Sequence, residues 1–306
     1  IQEAAGNREA LQTFKVADQS NQLKQRVAVH VILKSSQFGL ASFDDLEKLL
    51  LDRSEYETRR IETDYVKMWV DGSPTPPYFT EAGFDDELNA IMTENLLITA
   101  ENLSETLIRL DKESIKVKMH VAGAGAAHAA LNAIEAARRA NPSSTLRHEL
   151  GHTNLVIPQD LKRFYKLNAV AEMSPSVWQD YGMELGSPPR PSWQFNSLLA
   201  EKAHMTIGTD WPVTLDPNLF PALEGMLDRR EESISLPDAI KIMTINGAIS
   251  LGWDKELGSI EEGKVANFIV LDRNLFEIPI AEISETKVLK TIFEGELVFE
   301  AEASVR

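Results

Sequence analysis

The feature that most constrains this chain is a recurrence: short apolar runs bounded by polar or turn residues alternate with segments whose apolar residues repeat at helical spacing. That alternation specifies an α/β fold of βα units, because consecutive parallel strands need a crossover helix between them. Strands are expected at 26–33 (RVAVHVIL), 65–70 (YVKMWV), 115–121 (IKVKMHV), 145–150 (TLRHEL), 169–173 (AVAEM) and 204–208 (HMTIG). Helices are expected at 43–51, 100–111, 126–139, 158–167, 194–203, 219–229 and 237–251. The 126–139 segment (AAHAALNAIEAARR) is Ala-rich and ends in two arginines, which suits both helix propensity and the helix dipole.

Beyond Trp253 the texture changes. Short β signals appear at 266–271 (ANFIVL), 288–293 and 297–300, the last two separated by Glu294-Gly295-Glu296, which reads as a hairpin. The chain therefore divides into an α/β domain over 1–253 and a small β-module over 254–306. No fixed-period repeat and no low-complexity tract is present.

Composition narrows the partners. Thirty-one basic residues against 47 acidic ones give a net charge of −16, which disfavours phosphate backbones and anionic lipid surfaces, so neither nucleic acid nor a membrane is expected as partner. No apolar run reaches membrane-spanning length, and the first residues carry no targeting pattern. With no cysteine, disulfide scaffolds, thiolate metal sites and cysteine nucleophiles are excluded, leaving His and carboxylates as metal ligands. The compartment stays open, leaning to the cytoplasm, and a homo-oligomer is compatible with the sequence.

In a βα protein the carboxyl ends of the strands form the reactive rim. Two of the six histidines lie there: His120 ends the run IKVKM and is followed by Gly123 and Gly125, and His152 lies just past TLRHEL. His128 falls inside the Ala-rich helix and His204 opens a strand, so both read as structural. His148, four residues before His152, reads as a lower-layer residue or a partner of the site. Asp210 follows HMTIG at a strand tip, immediately before Trp211-Pro212, and reads either as a turn carboxylate or as a reactive one. In YVKMWV, alternation puts Lys67 on one face with Tyr65 and Trp69. A buried ammonium must be paired, neutralised or modified, so Lys67 is a salt-bridge partner, an amine of lowered pKa, or a lysine carboxylated by carbon dioxide. Two His, an Asp and a modified Lys would suit Zn, Mn or Fe and metal-assisted hydrolysis.

These residues match a known pattern. The chain resembles the C-terminal half of the amidohydrolase superfamily, in the amidohydrolase-3 type branch that includes N-substituted formamide deformylase. The motifs that carry the resemblance are 66–73 (VKMWVDGS), 118–121 (KMHV), 147–156 (RHELGHTNLV), 207–213 (IGTDWPV), and then 244–248 (TINGA) and 257–268 (LGSIEEGKVANF). The resemblance implies a (β/α)8 TIM barrel, incomplete in this sequence, with a small C-terminal β-sandwich module. It places the carboxylated bridging lysine on Lys67, metal-binding histidines on His120 and His152, and the metal-bound acid and base on Asp210, around one or two divalent ions, typically zinc. It further implies cleavage of an amide- or formamide-like C–N bond of a small molecule by a metal-activated hydroxide. Trp178, Tyr181 and Arg190, in the loop after the seventh barrel strand, are candidates to line the substrate pocket.

Two departures bear on that reading. The branch's His-x-His pair is absent from this sequence, and six strands fall short of eight, so the economical expectation is the C-terminal portion of a longer chain; the rival is a natural truncation that has lost one metal site. After His120 the branch commonly carries charge in a G-D-[RK]-A motif, where this chain reads Gly123-Ala124-Gly125-Ala126. The alternatives to amide cleavage are a metal-poor, non-catalytic barrel that binds a small ligand or serves as a structural subunit, and a mononuclear deaminase using His120 and Asp210.

Overall fold

The computed structural model describes residues 1–34, 42–73, 80–85, 90–175 and 192–302. The chain folds as two compact units; the first comprises 1–173 with 192–194 and 198–204, and the second contains 205–306. None of the helices among the described residues is long and apolar enough to cross a membrane.

The first unit is built on a parallel sheet whose strands follow chain order: β1 (Gln2–Gly6), β2 (Val27–Ile32), β3 (Ile61–Trp69), β4 (Lys116–His120), β5 (Glu149–Gly151) and β6 (Val170–Met173). A seventh strand, β7 (His204–Ile207), begins in this unit at His204 and completes the order. Helices α1 (Arg8–Gln19), α2 (Phe43–Asp52), α3 (Ala100–Lys112), α4 (Ala124–Ala140) and α5 (Pro158–Lys166) supply the crossovers. Side-chain caps start several of them: Asn7, Ser42 and Thr99 each accept a backbone N–H from the first turn.

Four strands, β2, β4, β6 and β7, fall within one residue of where the apolar runs predict them. β3 starts earlier, at Ile61, and β5 starts later, at Glu149, because Arg138 takes the Leu146 carbonyl and Asn168 takes the Thr145 carbonyl away from any ladder. β1 and α1 are additional to the expected elements. The sequence QEAAG of β1 has no apolar run to announce it; its place in the sheet comes from pairing with β2.

Register sorts the side chains of this sheet onto two faces. Val66 pairs with Val117, Met68 with Met119 and Leu150 with Ala171, and these six are fully buried. The facing helices are apolar to match, with Leu103, Leu107 and Leu110 of α3 and Ala126, Ala127, Ala130 and Ile134 of α4 also at 0% exposure. The opposite face is polar. Tyr65 stands beside Lys116, Lys67 beside Lys118 beside Glu149, and Trp69 beside His120 beside Gly151.

The second unit carries α7 (Phe220–Leu227), α8 (Leu236–Met243) and α9 (Ile245–Leu251), followed by an antiparallel sheet of β8 (Phe268–Leu271), β9 (Val288–Phe293) and β10 (Glu296–Glu300); α6 (Phe195–Ala200) has residues in both units. The single helix expected over 237–251 is two, broken at Thr244, whose backbone leaves helical geometry while its hydroxyl bonds the Ile240 carbonyl. Between β9 and β10, Glu294 and Gly295 both have positive φ, 53° and 83°, the backbone of the tight turn that matches strand twist in a hairpin.

Candidate functional site

Three of the predicted site residues meet on the polar face of the first unit. Lys67 comes from β3, His120 ends β4, and His152 follows β5 directly. The His120 and His152 rings lie edge to face with centroids 4.5 Å apart, and the Lys67 Nζ sits 5.1 Å from the Trp69 ring centroid. Trp69 in turn stacks toward His120, 6.4 Å between centroids. Lys67 is 4% exposed, so the sequence expectation of a buried lysine between two aromatics holds.

Both imidazoles are kept neutral. Burial pushes His120 down to about 3, with the Lys67 charge adding to the shift and a hydrogen bond to the Gly72 carbonyl opposing it. Burial likewise holds His152 well below the ordinary histidine range, reinforced by His120, Lys67 and Lys118. The tautomer of His120 follows from its partner: Nε2 lies 2.8 Å from the Gly72 carbonyl, which can only accept, so Nε2 carries the proton and Nδ1 keeps its lone pair.

Asp71, one strand-end residue that sequence reasoning passed over, organises the loops around this pair. Fully buried, it accepts Ala122 N–H at Oδ1 and Ala82 and Gly123 N–H at Oδ2, all within 2.9 Å, and its Oδ1 is 3.8 Å from His120 Nε2. Burial raises its pKa to about 6 against those three donors. The signal was the carboxylate at the end of VKMWVD, a buried strand delivering a charge to its carboxyl tip just as HMTIGTD does. Asp71 also bears on the two glycines of Gly123-Ala124-Gly125-Ala126. It draws the 82–83 backbone so close that a Cβ on Gly123 would lie 2.1 Å from the Ala82 carbonyl, and one on Gly125 2.3 Å from the Gly83 carbonyl. No side chain fits there.

Beneath the imidazoles lies a buried ion network. Lys116 and Lys118 each hold Glu149 at 3.3 Å, and Lys118 reaches Glu172 of β6 at 3.7 Å. Gly151 opens a cradle above it: an ideal Cβ there would be 3.4 Å from each of Lys67 Nζ, Lys118 Cγ and Glu172 Oε2. Two further histidines are tied to neighbouring elements. His148 bridges Asp111 and the Val117 N–H, joining α3 to β4, and Ser144 donates to the same Asp111. His128 on α4 pairs with Asp160 on α5 at 2.8 Å.

Asp210 belongs to the second unit. There it sits three residues past β7 with a left-handed backbone, φ 55°, its carbonyl accepting Val213 N–H. Thr214 ties back to the Thr209 carbonyl, and Asn246 of the TINGA motif donates to the Met205 carbonyl on β7. Trp178, Tyr181 and Arg190 lie outside the described residues.

The donor chemistry suits a divalent cation on one condition. Among the described residues no three His, Asp or Glu side chains come together as a metal site. Two neutral imidazoles do converge, one with its Nδ1 lone pair fixed, and the group beside them is Lys67 at the Gly151 cradle. An ammonium offers a cation nothing; an amine or a carboxylated lysine would complete the set, and the missing Cβ at Gly151 spares Lys67 Nζ a contact at 3.4 Å.

A sequence profile described as the amidohydrolase family matches residues 1–299. Protein LONG AFTER FAR-RED 3 of Arabidopsis thaliana is 27% identical over 280 residues, covering 86% of this chain and 47% of the relative. N-substituted formamide deformylase of Arthrobacter pascens is 28% identical over 212 residues, 64% of this chain and 39% of the relative. The chain thus spans about half the length, or less, of these curated relatives. Among solved structures, an uncharacterized metal-dependent hydrolase from Pyrococcus horikoshii superposes with a TM-score of 0.71 at 18% identity, covering 92% of this chain and 57% of that one.

Proposed function

The chain belongs to the amidohydrolase family, and we propose that it carries the greater part of the active site of a metal-dependent hydrolase that cleaves a C–N bond in a small amide- or formamide-like substrate. The observation that carries this reading is the meeting of two neutral imidazoles, His120 and His152, at the lysine-lined Gly151 cradle. The deformylase relative supports the bond type by its name. When bound, one or two divalent ions, zinc in our reading, would supply a Lewis acid that polarises a carbonyl and lowers the pKa of water toward about 7.

The chain's own residues divide the remaining work. His120 through Nδ1 and His152 through its imidazole would hold the ion, with Lys67 as a carboxylated ligand. Forming that ligand takes one proton from the Lys67 ammonium, joins the free amine nitrogen to the carbon of carbon dioxide and releases a second proton, turning a cation into an anion. Trp69 and the buried strands wall Lys67 off from bulk water, which strengthens each charge interaction there. Asp210 would take a proton from the attacking water and return it to the departing amine nitrogen.

Metal analysis alongside kinetics tests this. The native full-length protein should hold about one or two zinc ions per chain, lost together with amidase or deformylase activity in His152→Ala. Asp210→Ala should lose activity as well. A native-length protein that binds no divalent ion, or a His152→Ala variant with full activity, contradicts the reading.

A further inference from the structure

His152 is held in an unfavourable backbone conformation. Its φ is 72° and that of Thr153 is 36°, two successive residues in the left-handed region that side chains with a Cβ avoid. Such geometry persists only where surrounding groups over-determine it. Here the groups are identifiable. The His152 N–H donates to Glu172 Oε2 at 3.3 Å, and the His152 carbonyl accepts the Trp193 indole N–H at 3.0 Å. Trp193 is doubly fixed, since its own backbone N–H donates to the Asn154 carbonyl at 2.9 Å, and the Thr153 hydroxyl bonds the Leu150 carbonyl at 2.7 Å.

Glu172 is itself tethered. Lys118 Nζ lies 3.7 Å from the same Oε2 and is gripped on its other side by Glu149 at 3.3 Å. Glu172 is 7% exposed and Trp193 3%, so neither contact competes with bulk water. The strand end and the left-handed step together turn the chain out of β5 at His152, and the imidazole arrives against His120 rather than continuing the face of the sheet.

We propose that Glu172 and Trp193 are positioning residues for His152: one takes its N–H, the other its carbonyl, and the pair holds the left-handed backbone that aims the imidazole at the cation site. This rests on the metal-binding reading above and adds to it the two side chains that act through His152. Neither would touch the ion.

Zinc affinity measured by competition with a chromophoric chelator, on the native full-length protein, tests the proposal. Trp193→Phe keeps an aromatic ring and removes only the indole donor; Glu172→Ala removes the acceptor; Glu172→Gln keeps an acceptor oxygen without the charge. The expected result is a loss of affinity of about 10- to 100-fold in Trp193→Phe and Glu172→Ala, with part of it recovered in Glu172→Gln. Far-UV circular dichroism should be unchanged, and kcat at saturating zinc should return toward the wild-type value, which separates positioning from a loss of fold. If Glu172→Ala does not fold, Glu172→Gln and Trp193→Phe carry the comparison. Affinity within about threefold of wild type in Trp193→Phe, and in Glu172→Ala where it folds, with His152→Ala devoid of zinc, would overturn the clamp and leave the metal reading standing. His120→Ala and His152→Ala variants that bind zinc like the wild type would overturn the reading itself, and the clamp with it.

Discussion

The two sheets of this protein invert the usual placement of residue types. The parallel sheet buries charge: Lys67, Lys116, Lys118, Glu149 and Glu172 are each no more than 7% exposed. The antiparallel sheet exposes hydrocarbon: three consecutive residues of β8, Phe268, Ile269 and Val270, are 38%, 49% and 40% exposed, with Leu297 and Phe299 of β10 at 52% and 49%. Charge in an interior is costly unless paired, whereas exposed apolar residues are common on any surface. The asymmetry therefore locates function. The first sheet retains an ion network that an apolar replacement could match in stability, and it retains it beside two neutral imidazoles, where charge governs what the site can bind.

The largest expected effect is on chemistry rather than stability. Replacing the proposed base in Asp210→Asn should lower kcat by roughly 10²- to 10⁴-fold with little change in melting temperature; an active variant would remove Asp210 from the mechanism. Next comes the network. Glu149→Ala leaves Lys116 and Lys118 without their shared carboxylate, and equilibrium denaturation should show a loss of about 3–5 kcal/mol. A loss below about 1 kcal/mol would mean the network is solvated like a surface pair.

A smaller effect concerns acid stability. His30, fully buried on β2, is held down at about 3 chiefly by burial, then by the Lys118 charge, with Glu149 opposing. Below the ordinary value of 6.5 the unfolded chain takes up a proton that the folded one refuses, so stability falls as pH drops from about 6.5 toward 3. Asp71 works in the opposite sense, because its folded value of about 6 lies above its unfolded 3.8 and it therefore favours the folded state as pH falls through that window. The several buried histidines outnumber it. His30→Gln should flatten the acid limb of a stability-pH curve by about 1 kcal/mol per pH unit; an unchanged slope would place the titration elsewhere.

The smallest effect tests the other sheet. Ile269→Ser should change unfolding free energy by no more than about 0.5 kcal/mol and should reduce self-association in sedimentation, since it removes exposed apolar area. A large destabilisation would mean that β8 is packed in the native protein.

What could be read from residues alone follows the same division. Runs such as RVAVHVIL and IKVKMHV announce buried strands because period and composition are local properties, and the alternation in YVKMWV put Lys67 with Tyr65 and Trp69 correctly. His120 and His152 were legible as strand-end residues for the same reason. Asp71 is legible only as a strand-end carboxylate and the role of Glu172 not at all, since each acts through hydrogen bonds to backbone 11 to 52 positions away in sequence. β1 was missed because QEAAG has no β-rich pattern and owes its strand geometry to the neighbour it pairs with. The row Lys67, Lys118, Glu149 is likewise a product of register, which no single strand encodes.

The most direct measurement is anomalous diffraction at the zinc absorption edge on crystals of the native full-length protein. The account predicts a peak bonded to the His120 and His152 imidazoles, with electron density for a carboxylated Lys67 beside it. An ion bound elsewhere in the molecule, with those three side chains out of its coordination sphere, would contradict it.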